Sequence, residues 1–443
     1  MLMRWLAAGA LVVLVAGCSH HAGGGPGDGP YGDGLAGDAS GDGPRGSDAG
    51  PDGTPPGDAG HQADGGPLVD LCQGLVTDKA AHPMTALAKP ALLGTVVDPA
   101  FGTTIRRLSD SGSSGAIGPM YSTIPAWNAD ESRLILYDVG AGHRLHDGHT
   151  YAFIRLLDDI SPADLEQVYW HPSDPDVLLY VDDRTLTRYH VGAATKEPVQ
   201  TFSTCSDSVT GGADPMYISW DGNVIGLRCG TNAFSYRIDS NTLGGPIASG
   251  SDTAPQAAPG GARLYFDGDV VGLDMAMQRT LDMANPFEHA SLGRLANGDD
   301  GWFGVTYDPG AGGCGVGSLV TYSLVDGSCL VVVGEDAGYP YPGSGVHVSA
   351  LVLQRTGWAV VGTVGDVTGQ SLLDQELVLV DTSSPARVCR VAHHRSWGGD
   401  GPQGYWAEPH AVPSPSGTRI LFGSDWGGGQ SVDAYVVELP AYQ

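Results

Sequence analysis

Short apolar runs alternate with polar turns along the chain after residue 68, and this pattern predicts β-strands. The runs are rich in β-branched and aromatic residues and are bounded by turn-forming residues, as at 134–137, 177–180 and 420–422. Side chains of this kind suit a pleated, half-buried strand, whereas Gly, Pro, Asn and Asp favour the turns between strands. Convincing amphipathic helices are scarce, so we predict an all-β fold.

A polar turn precedes each of these runs and recurs along the chain. The copies lie at residues 125–130, 169–174, 219–222, 258–261, 295–299, 353–357 and 413–417. A four-stranded unit repeated roughly every fifty residues is typical of a β-propeller, because one such sheet cannot bury both faces whereas a closed ring can. We therefore predict a seven-bladed β-propeller, in which residues 104–108 supply the outer strand of the last blade. A solenoid or a two-sheet sandwich is the alternative.

The first residues of the chain have the pattern of an export signal. Arg4 precedes an apolar run that ends with the small residues Ala16 and Gly17, which a signal peptidase requires. This run is shorter than the ~20 residues that span a bilayer, which argues against a short membrane anchor. We predict a signal peptide at residues 1–17 and export of the remaining chain.

The five residues from Leu14 to Cys18 resemble the bacterial lipobox. The resemblance implies that Cys18 becomes the lipidated N-terminus of a membrane-anchored lipoprotein, with a plain signal peptide as the alternative. Ser19 after this cysteine favours the outer membrane or the cell surface. Residues 18–67 are almost entirely Gly, Asp, Pro, Ala and Ser, which cannot bury an apolar core, so we expect a disordered acidic linker. The propeller would then occupy residues 68–443.

The charge of the chain excludes one class of partner. The net charge is −28, and the only lysines are Lys79, Lys89 and Lys196. A chain this acidic lacks the basic surface with which proteins bind nucleic acid, and it repels anionic polymers unless a metal or a local arginine cluster overrides the field. We expect a monomer whose partners are the membrane, through the lipid, and a glycan or an envelope protein.

Six cysteines remain after Cys18, and an even number in an exported chain indicates disulfides. Two pairs are each separated by one short strand–turn unit, and the remaining two cysteines would tie the N-terminal segment to the propeller. Six cysteines allow other pairings as well. The favoured pairs are Cys205–Cys229, Cys314–Cys329 and Cys72–Cys389.

Candidate ligand-binding residues follow from the geometry of a propeller, in which the innermost strand of every blade begins on one face. The residues at these openings are Tyr121, Glu166, Asp214, Gln256, His289, His347 and His410. The three histidines belong to consecutive blades, and imidazole is a common ligand of Zn, Mn, Fe and Ni. We predict a site for one divalent transition metal, completed by Glu408 or Gln256. The alternative is a polar, hydrated channel mouth.

A second group of polar and aromatic residues is expected on the same face. His143 and Arg144 follow the second strand of blade 1, and a long segment joins blades 6 and 7. Long loops on a rigid scaffold often carry function. The segment and the loop after it contain His393, Arg395, Trp397, Tyr405, Trp406 and Trp426. The four aromatic residues can stack on sugar rings, or they can pack beneath their own loops.

Two stretches carry a resemblance to known propellers. Residues 414–422, with the turn Ser414-Pro415-Ser416-Gly417, resemble the repeat of TolB-type propellers, and residues 345–358 and 408–425 resemble blades of oligogalacturonate-lyase-like propellers. The lyase resemblance implies β-elimination on a uronate with Mn or Zn as cofactor. Its metal ligands would be His289, His347, His410 and Glu408, its base His143 or His393, and its carboxylate-neutralising residue Arg144 or Arg395.

The sequence therefore leaves several functions open. A propeller that binds a glycan or a protein at its channel mouth is the first, because a fold does not by itself specify a function. A metal-dependent polysaccharide lyase acting on acidic oligosaccharides is the second. A structural propeller that takes part in envelope assembly, as the TolB resemblance implies, is the third.

Overall fold

The computed structural model describes residues 69–212 and 217–442, and the part from Pro67 to Gln443 forms one compact unit. The described chain contains 29 strands, which pair in an antiparallel manner into seven sheets. Its helices are three short 3-10 turns, at Glu335–Ala337, Gly398–Asp400 and Gly404–Ala407. None of the described helices is long and apolar enough to cross a membrane. The proposed signal peptide, Cys18, the linker and Asp214 lie outside the described residues.

Each sheet is one blade of a propeller. Two strands precede the first blade: β1 (Thr95–Val97) and β2 (Thr104–Arg107). Blades 1 to 3 consist of β3 (Ile117–Gly118), β4 (Arg133–Asp138), β5 (Gly142–Asp147) and β6 (Phe153–Leu156); β7 (Val168–Trp170), β8 (Val177–Asp182), β9 (Thr185–His190) and β10 (Thr195–Thr201); and β11 (Val209–Thr210), β12 (Val224–Cys229), β13 (Asn232–Arg237) and β14 (Thr242–Ala248).

The remaining blades continue this order. Blades 4 to 6 consist of β15 (Gln256–Ala257), β16 (Arg263–Phe266), β17 (Asp269–Gly272) and β18 (Met277–Thr280); β19 (Ala290–Arg294), β20 (Asp300–Thr306), β21 (Gly317–Ser323) and β22 (Cys329–Gly334); and β23 (His347–Ser349), β24 (Trp358–Thr363), β25 (Glu376–Asp381) and β26 (Arg387–His393). Blade 7 consists of β27 (Val412–Pro413), β28 (Arg419–Ser424) and β29 (Asp433–Glu438), followed in the sheet by β2 and β1.

Blade 7 closes the ring by joining the two ends of the propeller in one sheet. β2 pairs with β29, so that Ile105 lies opposite Val437, and β1 adds a fifth strand outside it. The seven-bladed, all-β fold predicted from the repeat is therefore confirmed, as is the role of residues 104–108 as the outer strand of the last blade.

The apolar core is divided among the joints between neighbouring blades. In β4, Leu134 and Leu136 pack against blade 7, whereas Ile135 between them packs against blade 2. Successive side chains of a strand point to opposite faces, so each inner strand supplies two joints at once. This explains why the sequence shows continuous apolar runs rather than a strict alternation. Burying a side chain of this size stabilises the fold by ~1.5–3 kcal/mol.

Three disulfides join the pairs favoured by the sequence. Cys72 pairs with Cys389 of β26, with 5.7 Å between their Cα atoms, and links the N-terminal segment to blade 6. The other two bridges are local, Cys205–Cys229 and Cys314–Cys329.

Buried ion pairs add polar links across the fold. The Arg419 guanidinium of blade 7 is 2.5 Å from the Glu131 carboxylate of blade 1, and the Arg390 guanidinium lies 2.5 Å from the Glu376 carboxylate within blade 6. Both arginine side chains are fully buried. Removing one partner of such a pair leaves a buried charge without compensation.

Candidate metal centre

Three histidines meet where the innermost strands of blades 5, 6 and 7 begin. His289 directly precedes β19, His347 is the first residue of β23, and His410 lies just before β27. The ring centroids of His289 and His347 are 4.3 Å apart, and those of His347 and His410 are 4.5 Å apart. The equivalent positions of these residues in three consecutive blades bring them together although they are about sixty residues apart in the chain.

Glu408 supplies a carboxylate to the same cluster. Its Oε2 is 3.5 Å from Nε2 of His347 and 3.7 Å from Nε2 of His410. One ligand atom from each of these three residues lies within 4.8 Å of the others. A set of imidazole nitrogens with one carboxylate oxygen suits Zn²⁺ or Mn²⁺.

Hydrogen bonding of the histidines supports a role as metal ligands. The Nδ1–H of His289 donates to the backbone carbonyl of Val346 at 3.0 Å. Bonds of this kind fix the tautomer in which Nε2 carries the lone pair, and they are common in metal-ligating histidines. Nε2 of His410 is buried and has no hydrogen-bond partner in the described chain, and a bound cation would satisfy it. The residues present therefore fit a divalent metal.

Burial sets the protonation of the cluster. It raises the pKa of Glu408 to about 7, because the charged carboxylate is poorly solvated. Burial, assisted by the charge of His289, lowers the pKa of His410 to about 3. At neutral pH His410 is therefore an uncharged imidazole that can offer a lone pair. At the same pH the protonated and ionised forms of the Glu408 carboxyl are both populated, and a bound cation would favour the ionised form.

Two tyrosines cover the cluster. The ring centroid of Tyr121 is 5.0 Å from that of His410, 5.6 Å from His347 and 6.5 Å from His289. The Tyr405 ring lies 4.7 Å from that of His410, and its hydroxyl donates to the Glu166 carboxylate at 2.7 Å. The sequence placed Tyr121 and Glu166 at blade openings, but it gave no signal for the pairing of Tyr405 with Glu166.

His143 and Arg144 are held by partners in blades 1 and 2. His143 is buried, and its Nε2–H donates to the carbonyl of Leu165 at 3.0 Å. Burial lowers the pKa of His143, so the imidazole is neutral at pH 7. Arg144 forms an ion pair with Asp138 at 2.9 Å, and its guanidinium packs over the Phe153 ring of the outer strand β6. The positive charge of Arg144 is therefore neutralised by Asp138 within blade 1.

His393 and Arg395 lie in a buried network with the N-terminal segment. Arg395 Nη1 is 2.8 Å from the Asp98 carboxylate, and His393 Nδ1 is 3.7 Å from the same oxygen. Although burial opposes ionisation, the hydrogen bond of His393 and the charge of Arg395 hold the pKa of Asp98 well below its usual range. The two side chains therefore fasten the segment before β2 to blade 6. This position favours a structural role over the catalytic roles expected for them.

The four aromatic residues divide into two groups. Trp426 stacks on Tyr435, donates from Nε1 to the carbonyl of Leu87 at 2.9 Å and belongs to the joint between blades 6 and 7. Trp406 stacks on the Tyr137 ring at 5.9 Å. Trp397 and Tyr405 are instead 36% and 43% exposed, so these two offer ring surface to a ligand.

Comparison with known proteins yields similarity in structure only. No protein-family model and no curated protein matches the chain. An oligogalacturonate lyase from Vibrio parahaemolyticus superposes on 80% of this chain and 100% of its own, with a TM-score of 0.56 and 14% identity. An oligogalacturonate lyase in complex with manganese superposes on 81% of this chain and 100% of its own, with a TM-score of 0.52 and 16% identity. At these identities the similarity shows the shared fold.

Proposed function

We propose that this protein is a metal-dependent polysaccharide lyase that cleaves acidic, uronate-containing oligosaccharides by β-elimination. The observation that carries the proposal is the cluster formed by His289, His347, His410 and Glu408 at the mouth of the propeller. The fold is similar to that of two oligogalacturonate lyases, one of which was solved with manganese.

The reaction requires a base for the proton next to the uronate carboxylate and a positive charge beside that carboxylate. A divalent cation, when bound, supplies this charge as a Lewis acid. His289, His347 and His410 would hold it through imidazole nitrogens, and Glu408 through its carboxylate. His143 is the candidate base, because its lowered pKa keeps it unprotonated at neutral pH.

The overall charge makes the cation necessary for binding an anionic sugar. The chain carries a net charge of −28, and Arg144 is already paired with Asp138. An anionic oligosaccharide would be repelled by the field of such a protein unless a bound cation reverses it locally. The metal would therefore serve both substrate binding and chemistry. Exposed Trp397 and Tyr405 would contribute stacking surface for sugar rings.

The location of the protein is part of the proposal. Residues 14–18 and the disulfides support export as a lipoprotein anchored through Cys18 to the outer membrane or cell surface, where it would act as a monomer.

A binding module for glycans is the second candidate, and the exposed rings of Trp397 and Tyr405 favour it. Such a protein would use the mouth without turning over its ligand. Envelope assembly, the third function suggested by the sequence, would instead require protein partners that co-purify with the chain.

Elemental analysis of the purified protein tests the proposal. The wild type is expected to contain one stoichiometric transition metal, which His289→Ala/His347→Ala/His410→Ala should lose. His149→Ala/His190→Ala, which removes an exposed histidine of blade 1 and a half-buried one of blade 2, should retain it. Incubation of the metal-loaded protein with uronate oligosaccharides should then release unsaturated products that absorb in the ultraviolet. Protein without metal would refute the lyase, and metal without turnover would favour the binding module.

A further inference from the structure

The segment between β26 and β27, residues 394–411, forms a strap across the channel mouth. Its base is held by buried groups: Ser396 Oγ donates to the carbonyl of Ala407, and the Asp425 carboxylate accepts the backbone N–H of Trp397 at 3.1 Å. Ser396 and Ala407 are fully buried. These contacts join the two ends of the strap to each other and to blade 7, so the base does not depend on the rest of the mouth.

The tip of the strap reaches the next two blades of the ring, blades 1 and 2. Tyr405 donates a hydrogen bond of 2.7 Å to Glu166, which lies just before the first strand of blade 2, and Trp406 stacks on Tyr137 of blade 1. Tyr405 is exposed, unlike the base. The tip is therefore secured by this hydrogen bond, by the ring stack and by the packing of Trp406 against a small buried cluster that includes Ala116 and Val432.

The same turn carries a residue of the metal cluster. Tyr405 belongs to the 3-10 turn Gly404–Ala407, and Glu408 follows it directly. The backbone N–H of Glu408 donates to the carbonyl of Tyr405 at 2.9 Å. Tyr405 and Glu408 thus belong to one hydrogen-bonded turn, on either side of the buried Ala407, so the anchoring of Tyr405 bears on the position of the Glu408 carboxylate.

We propose that Glu166 is a positioning residue for the metal centre and acts through Tyr405. Its hydrogen bond holds the strap closed over the mouth and thereby keeps Glu408 against His347 and His410. The inference takes the identity of the cluster from the proposed function, but it does not depend on lyase activity.

The backbone of the strap allows the tip to move while the base stays in place. Gly398 and Gly404 both adopt left-handed conformations, with φ of 55° and 54°, which favour glycine. They bracket the stretch between the base and the tip. Loss of the Tyr405–Glu166 bond should therefore loosen the tip without unfolding the blades.

Three variants test this role. Tyr405→Phe keeps the ring against His410 but removes the donor, Glu166→Ala removes the acceptor, and Glu166→Gln retains an acceptor oxygen. Net hydrogen-bond energies imply about threefold to tenfold weaker Mn²⁺ binding, with faster release of Mn²⁺ to a chelator, for the first two variants. Glu166→Gln should restore most of the wild-type affinity. Mn²⁺ binding is measured by calorimetry on the full protein.

A matched control and a metal-free measurement separate this inference from the proposed function. Tyr189→Phe also removes a tyrosine–carboxylate hydrogen bond, to Asp159 at 2.6 Å, and should leave Mn²⁺ binding unchanged. Hydrogen exchange at the Glu408 amide of the metal-free protein should be faster in Tyr405→Phe and Glu166→Ala than in the wild type. Unchanged exchange together with unchanged Mn²⁺ binding would overturn the inference. A wild type that binds no Mn²⁺ would refute the proposed metal site, and the amide exchange would still decide whether Glu166 positions Glu408.

Discussion

Replacement of Glu408 by glutamine should stabilise the metal-free protein at alkaline pH. Burial raises the pKa of this carboxyl from 4.5 to about 7, so the folded protein binds the proton more tightly than the unfolded chain. The stability gained from this proton is complete below the unfolded pKa and is lost as the pH rises through the folded pKa. The difference between the two pKa values corresponds to about 3 kcal/mol at pH 8.

The same substitution should have the opposite effect on metal binding. Glutamine removes the anionic ligand beside His347 and His410, so the affinity for Mn²⁺ should fall. In the wild type, the proton on Glu408 competes with the metal, and the affinity should drop about tenfold per pH unit below pH 7. In Glu408→Gln, which has no carboxyl to protonate, the Mn²⁺ affinity should fall less steeply below pH 7 than in the wild type. A residue that weakens the fold but strengthens binding is characteristic of a functional site.

Urea unfolding in the presence of a chelator measures the first effect, at pH 5 and pH 8. The free energy of unfolding of Glu408→Gln should exceed that of the wild type at pH 8 and approach it at pH 5. Glu376→Gln is the control, because this buried carboxylate is paired with Arg390 and its loss should destabilise the protein at both pH values. The reasoning is refuted if Glu408→Gln is less stable than the wild type at pH 8 or shows the same dependence on pH.

Further predictions concern the links that close the ring. Cys72→Ala/Cys389→Ala should lower the free energy of unfolding by about 2–5 kcal/mol under oxidising conditions, as measured by denaturation. Under reducing conditions, which also open this bridge in the wild type, the difference between the two proteins should disappear. Arg419→Met leaves a buried carboxylate unpaired and should cost about 3–5 kcal/mol in urea unfolding. The pKa of Asp98 is depressed, so its ion pair with Arg395 stabilises the fold above the unfolded pKa and weakens in acid. Asp98→Asn should therefore lower the free energy of unfolding at pH 7 and reduce the further loss of stability as the pH falls. A variant whose stability falls in acid as steeply as that of the wild type would contradict this.

The sequence predicts the fold well because the information is local and repeated. Each turn and the apolar run after it specify one hairpin, and every blade repeats them. Closure by residues 104–108 was also predictable, since an incomplete last blade needs one more strand. The fifth strand, β1, was not predicted, because Thr95–Val97 is short and mostly exposed and lacks the apolar run that marks the other strands.

The candidate site was predictable only in part. His289, His347 and His410 occupy equivalent positions of consecutive blades, so their meeting follows from the repeat alone. His393 ends the outer strand of blade 6 and Arg395 follows in the segment after it, where spacing does not give the direction of a side chain. The structure turns them towards Asp98, a residue almost three hundred positions earlier in the chain.

By itself the sequence determined the seven blades, the face on which their openings meet and the residues at each opening, because the alternation of turns and apolar runs is a property of neighbouring residues. Only the tertiary structure decided which side chains complete the site. Glu408 meets two histidines because it lies in the segment that joins their blades, and Tyr405 meets Glu166 because ring closure brings this segment beside blades 1 and 2. Contacts of this kind depend on the path of the chain through space, which no local pattern of residues encodes.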